Sequence, residues 1–157
     1  MTRARIVKVV NRIAHPNADR LDVLEIEWPH ELGASFHPYT QEVVTGKHYV
    51  PGQLGVHIPE GAILPGPLAV DLWMWGAKSD KPWLVEAKVM RGIRSSGVFS
   101  GREYRVDPND PRSIEKHEQH SAAGDELLPD GSYKWALWKD HWQLGDDVTD
   151  ELGITGL

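Results

Sequence analysis

Leu21-Asp22-Val23-Leu24-Glu25-Ile26-Glu27-Trp28 alternates with a period of two. Leu24, Ile26 and Trp28 fall on one side, with Asp22 at its edge, and Val23, Glu25 and Glu27 fall on the other. Successive side chains of an extended chain point to opposite faces, so this stretch predicts a strand with one face buried. Before it, Ile6-Val7-Lys8-Val9-Val10 is rich in β-branched residues and also reads as a strand, and His15-Pro16-Asn17-Ala18-Asp19 supplies the turn between the two. After it come Gln41-Glu42-Val43-Val44, stopped at Thr45-Gly46, and Gly55-Val56-His57-Ile58, closed by Pro59. Leu84 to Met90 resumes strand character, and Gly97-Val98-Phe99-Ser100 follows a turn at Arg91-Gly92. Five or six short strands with turn signals between them predict an all-β chain closed into a small barrel.

Helices are expected to be few. Gly61, Pro65, Gly66 and Pro67 prevent a long element over 60–67, while Leu68 to Pro82, with Trp73 and Trp75, suits a short helix or an aromatic plug. Asp110 and Pro111 suit the cap and first position of a helix over Arg112–His120. Trp135, Trp138 and Trp142 recur three and four residues apart, as on one helix face, although DGSYKWALW is equally compatible with a strand. Three indoles need a surface to cover, so this region is expected to pack on the barrel. Thr149 and Gly153 bracket a last helical turn.

The 157 residues, 40% hydrophobic and 25% charged, fit one compact domain with an extension and exclude a large multidomain enzyme. The expected division is a barrel over 1–104 and an acidic, tryptophan-containing extension over 105–157. Charge follows the same division. Residues 1–105 carry 13 Lys+Arg against 11 Asp+Glu, and residues 106–157 carry 4 against 12, giving the net charge of −6. Strong nonspecific binding of duplex nucleic acid is therefore not expected, and any phosphate-binding site must be local and lie in the first two thirds. There is no Cys, which removes disulfides, thiolate metal sites and thiol nucleophiles. No apolar run approaches the roughly 20 residues of a membrane span, and Met1-Thr2-Arg3-Ala4-Arg5-Ile6 lacks the apolar stretch of a secretory signal. The expectation is a cytoplasmic protein.

Catalytic patterns do not emerge. His117 and His120 are three apart, whereas the zinc-protease pattern needs four, so no metal site is expected. A nucleotidyl-transfer lysine would stand two residues before Asp130-Gly131, and that position is Leu128. Neither a phosphate-cradling loop with lysine nor G-x-S-x-G is present. No cofactor is expected, and the chain reads as a non-catalytic module.

Two stretches read either as plain, solvated turns or as parts of a phosphate-binding site. Lys88-Val89-Met90-Arg91-Gly92-Ile93-Arg94-Ser95-Ser96-Gly97 crowds three cations, two hydroxyls and two glycines into a strand–turn–strand. Cations and hydroxyls serve phosphate oxygens, and glycine lets a nucleic-acid backbone approach. His15-Pro16-Asn17-Ala18-Asp19-Arg20-Leu21, Val43-Val44-Thr45-Gly46, Ala62-Ile63-Leu64-Pro65-Gly66 and then Arg91-Gly92 with Ser95 and Gly97 occur in that order. This set resembles the tRNA-binding domain at the N-terminus of the bacterial phenylalanyl-tRNA synthetase β subunit, also appended to methionyl-tRNA synthetases. That domain is an OB-fold, a five-stranded Greek-key barrel. Gly55-Val56-His57-Ile58-Pro59 and the segment Trp142 to Ile154 are similar, in addition, to nick-sealing RNA ligases whose N-terminal OB module leads into an ATP-dependent catalytic domain.

These resemblances imply an OB barrel with loop insertions and a short mixed C-terminal extension, binding tRNA or nicked structured RNA. They imply contacts from Arg91, Arg94 and Ser95, with Asn17, Arg20, Lys47 and Lys88 in support. Val89 stands where the ligase modules usually carry a basic residue, and Lys88, one position earlier, falls on the opposite face of a strand. The implied partners are RNA and a protein such as a ligase catalytic domain. The alternative is an OB module that docks on a separate enzyme subunit, suggested by the acidic extension and its three tryptophans.

Overall fold

The computed structural model describes residues 3–28, 39–72, 74, 76–105 and 124–157. The expected helix over Arg112–His120 and its histidines, together with Trp73 and Trp75, lie outside these residues.

Five strands make the main sheet, in the order β3-β2-β1-β4-β9, all neighbours antiparallel. They are β1 (Arg5–Ala14), β2 (Leu21–Trp28), β3 (Tyr39–Gly46), β4 (Leu54–Ile58) and β9 (Val98–Gly101). Smaller pairs complete the fold: β5 (Ile63–Leu64) with β6 (Trp83–Leu84), and β7 (Lys88–Met90) with β8 (Ile93–Ser95). Strand β12 (Tyr133–Lys134) lies between β10 (Glu103–Tyr104) and β11 (Glu126–Leu127). Helix α1 (Gly66–Asp71) carries Pro67 in its first turn, where a missing N–H costs nothing. The sheet curls into a half-barrel, and β8 with the residue after it bonds the β3 edge: the Ser96 amide donates to the Glu42 carbonyl (2.9 Å), and the Val44 amide donates to Ser95 Oγ (3.0 Å). The result is an all-β, OB-like fold.

Period-two alternation explains the interior. Leu24 and Ile26 of β2 point inward beside Val7, Val9, Val43 and Phe99, and the Tyr49 ring meets Phe99 edge-on at 5.0 Å. A bulge interrupts β1, since Val9 pairs with Ile26 but Asn11 already pairs with Glu25. The extra residue, Val10, re-aims everything after it: Arg12 comes opposite Leu24 and Ala14 opposite Asp22.

A second core lies on the other face of β1 and β4. Ile6, Val56 and Ile58 are covered there by Leu64, Leu68, Val148, Ile154 and the indoles of Trp135, Trp138 and Trp142. Residues Ala4–Ile6 precede the β1–β2 ladder, and the C-terminal segment takes that open edge. The Ile6 amide bonds Asp146 O at 2.9 Å, Gly145 bonds Ile6 O at 2.8 Å, and Val148 bonds Ala4 O at 2.9 Å. Trp138 and Trp142 are not on a continuous helix. Each closes a separate turn, its amide bonding the carbonyl three residues earlier (3.1 and 2.9 Å), and consecutive turns present the indoles to one surface as a helix would.

Candidate nucleic-acid interface

The β7–β8 hairpin turns on Arg91 and Gly92, with φ of 53° and 91°. Positive φ at both central positions is the type I′ turn, whose twist matches that of paired strands. The turn sets Val89 opposite Arg94, Lys88 opposite Ser95 and Met90 opposite Ile93. Val89, 68% exposed, and Arg94 therefore share the outward face.

The hairpin tip is held by the turn between β1 and β2. His15 is buried, and its Nε2–H donates to the Met90 carbonyl at 2.8 Å while its Nδ1 accepts the Asn17 amide at 3.0 Å. Because a carbonyl can only accept and an amide N–H can only donate, this arrangement requires the neutral Nε2–H tautomer. Asn17 Nδ2 donates in turn to the Arg91 carbonyl at 3.0 Å. Pro16 keeps His15 extended, so that the ring and the amide two residues later converge on the hairpin.

The structure sorts the expected site residues into three groups. Lys88 and Arg91 are exposed, and their side chains make no hydrogen bond or ion pair with another described residue. Asn17 and Arg20 are exposed in the adjoining turn, which also carries exposed Asp19. Arg94 is exposed but engaged, with its guanidinium 2.8 Å from Glu60.

Ser95 differs from the sequence expectation of a contact: it is 4% exposed, and its hydroxyl accepts from Val44 N–H and donates to the Gly97 carbonyl at 3.2 Å. It anchors the hairpin to β3 and does not belong to the exposed ledge. Gly97 sits at φ 76°, where a Cβ would overlap the Ile58 carbonyl. Two residues of the Arg-Gly-x-x-Ser-x-Gly pattern thus build the hairpin's seat.

Lys47 lies just past the end of β3, at the same end of the barrel, because Gly46 pairs with Leu21 at the start of β2. Its Nζ is 3.9 Å from Oδ1 of Asp22, and Arg12 Nε is 2.8 Å from Oδ2 of the same carboxylate. Sequence reading missed Arg12 and left Asp22 at a strand edge. The available signal was Asn11-Arg12 directly after an apolar strand, which only a bulge turns toward the barrel mouth. Behind the hairpin, His57 Nε2 donates to the Ser96 carbonyl, and burial lowers the imidazole pKa against the opposing pull of that bond and of Glu60.

The acidic segment finds its partners elsewhere. Asp147 pairs with Arg3 at 2.7 Å, Asp140 with Lys134 at 2.8 Å and Asp130 with Arg105 at 3.5 Å. Among the described residues no cluster of three His, Asp or Glu suited to a metal ion occurs, and no helix is long and apolar enough to cross a membrane.

No protein-family model matches the chain, and no curated protein matches it significantly. Solved structures do. Naegleria gruberi RNA ligase with PPi superimposes with a TM-score of 0.55 at 15% identity, covering 99% of this chain and 35% of the ligase. A mutant of that ligase with ATP and Mn gives 0.54 at 16% identity, again over 99% of this chain and 35% of the other. The chain has the fold of an RNA-ligase segment. At this identity the likeness is one of fold, and the chain spans about a third of the ligase's length.

Proposed function

We propose that the chain is a cytoplasmic RNA-binding OB-like module, stand-alone or accessory to an RNA ligase or an aminoacyl-tRNA synthetase, that meets tRNA or nicked structured RNA through its phosphate backbone. The observation that carries this reading is the hairpin tip. Arg91 is presented on a type I′ turn, without a side-chain partner among the described residues, and is fixed from below by His15 and Asn17. Preorganisation of this kind lowers the ordering cost of a phosphate contact. Lys88, Arg20, Asn17 and Lys47 flank it, Arg94 joins when its Glu60 pairing is exchanged for phosphate, and Ser95 supports from beneath. Lack of a strongly basic surface fits recognition of one local structure better than indiscriminate binding.

The test is anisotropy of labelled tRNA and of a labelled nicked RNA duplex across a salt series. Arg91→Ala should weaken binding and reduce the salt slope by roughly one. Unchanged affinity and slope would remove Arg91 from the site.

The alternative of docking on a separate subunit draws on the three C-terminal tryptophans. Trp135, Trp138 and Trp142 are 2%, 6% and 4% exposed, so they cover this chain's own sheet and offer little to a partner.

A further inference from the structure

The geometry points to a second phosphate-binding element at the barrel mouth: Arg12 and Lys47, held by the buried carboxylate of Asp22, form a two-cation clamp for an RNA phosphodiester. The inference rests on the RNA-binding reading and deepens it. Asp22 is the positioning residue, and the two cations are the contacts.

Asp22 is 1% exposed, in the interior-facing register of β2. A carboxylate so placed needs a cation, and Arg12 at 2.8 Å supplies one. Neutralisation is then complete. Lys47 nevertheless brings a second positive charge to the other oxygen at 3.9 Å. Two like charges held around one carboxylate leave a net positive charge and repel each other, which costs free energy unless an anion joins them.

The positions of the cations support the same conclusion. Both side chains remain 41% exposed, so the excess charge faces solvent. Arg12 Nε lies 2.8 Å from Asp22 Oδ2, and the guanidinium forms no ion pair with any other described residue. Neither Asp22 oxygen has a well-aligned hydrogen bond, so the cations are held by charge and can turn toward a phosphate without breaking a directional bond. The β1 bulge is what brings Arg12 to this face. With regular alternation after Val9, Arg12 would point away from Asp22.

The clamp also adjoins the hairpin tip. Ala14 pairs with Asp22, and the next residue, His15, bonds the Met90 carbonyl. A strand crossing the β1–β2 turn would meet Arg91 on one side and the clamp on the other.

The full chain would be titrated against the labelled nicked RNA duplex over a salt series, with thermal unfolding recorded for each variant. Arg12→Gln and Lys47→Gln should each weaken binding and reduce the salt slope by roughly one. Asp22→Asn gives an opposite-sign test. Removing a negative charge beside two cations should tighten binding if charge alone matters, whereas loss of a positioning group should weaken it in protein that is still folded.

Unchanged slopes in both Gln variants, or tighter binding by Asp22→Asn, would overturn the clamp. If Asp22→Asn does not fold, the two exposed-cation variants decide. A slope that responds to Arg91→Ala but not to Arg12→Gln or Lys47→Gln defeats the clamp alone. Wild-type protein that binds no RNA even at low salt defeats both readings.

Discussion

The imidazole of His15 and the carbonyl of Met90, 75 positions apart in the chain, meet at 2.8 Å. This bond joins the β1–β2 turn to the β7–β8 hairpin, two elements that share no ladder in the main sheet. It converts a three-residue strand pair, which is too short to be stable alone, into a fixed feature of the barrel rim.

Replacing His15 should therefore act on the hairpin before anything else. His15→Ala leaves the Met90 carbonyl and the Asn17 amide without their partner, at a cost of about 1–3 kcal/mol. A urea melt should show the loss, and hydrogen exchange should show faster exchange over 88–95 than in β1 and β2. Equal protection of the hairpin in the variant would show that the contact is incidental.

How much of this was legible follows from the length of the periodic signal. Strand β2 was readable end to end because eight alternating residues leave one face to bury. The Arg91-Gly92 turn was readable because glycine marks it. Strand β1 is legible only to Val10, since the bulge there breaks the alternation that identifies a strand and leaves Asn11–Ala14 unassigned. The single strand expected over Leu84–Met90 is two, because Val85 bonds back to Gly61 and Ala62 while Lys88–Met90 turns to pair with β8. Both choices depend on partners far along the chain, which local pattern does not encode. The same holds for the candidate site: Arg91 stands out by its motif, whereas the inward turn of Ser95 depends on its bond to β3 and the pairing of Arg12 with Asp22 on the β1 bulge.

Arg91→Gly should separate stability from binding. Arginine at φ 53° occupies a region that costs an L-residue about 1 kcal/mol and glycine little, while glycine also loses more backbone freedom on folding. The expected net is stability unchanged or raised by up to about 1 kcal/mol, with RNA affinity reduced as in Arg91→Ala. A folded, more stable protein that binds RNA as the wild type does would exclude a contact by this side chain.

The C-terminal segment should behave as part of the barrel. Thr149 Oγ1 accepts the Ala4 amide at 2.9 Å in a buried position, joining the two ends of the chain. Thr149→Val keeps the shape and leaves that amide unpaired, a loss of about 1–3 kcal/mol. One cooperative unfolding transition, shifted downward, is expected by calorimetry. A separate early transition for the C-terminal segment, with the main one unmoved, would mean that the seam does not couple to the sheet.

His57 gives the stability a pH dependence of known sign. Burial lowers its pKa in the folded chain, and the Ser96 carbonyl and Glu60 offset that only in part. Above the unfolded value of about 6.5 the imidazole is neutral in both states. As the pH falls below this, the unfolded chain takes up the proton first, so stability present above about pH 6.5 is lost progressively until the folded pKa is reached. His57→Gln retains a donor for the Ser96 carbonyl and removes the titration. Urea midpoints measured from about pH 8 to about pH 5 should therefore fall less steeply in the variant, whatever the other histidines contribute in common. Parallel curves would mean that His57 protonates as readily in the fold as outside it.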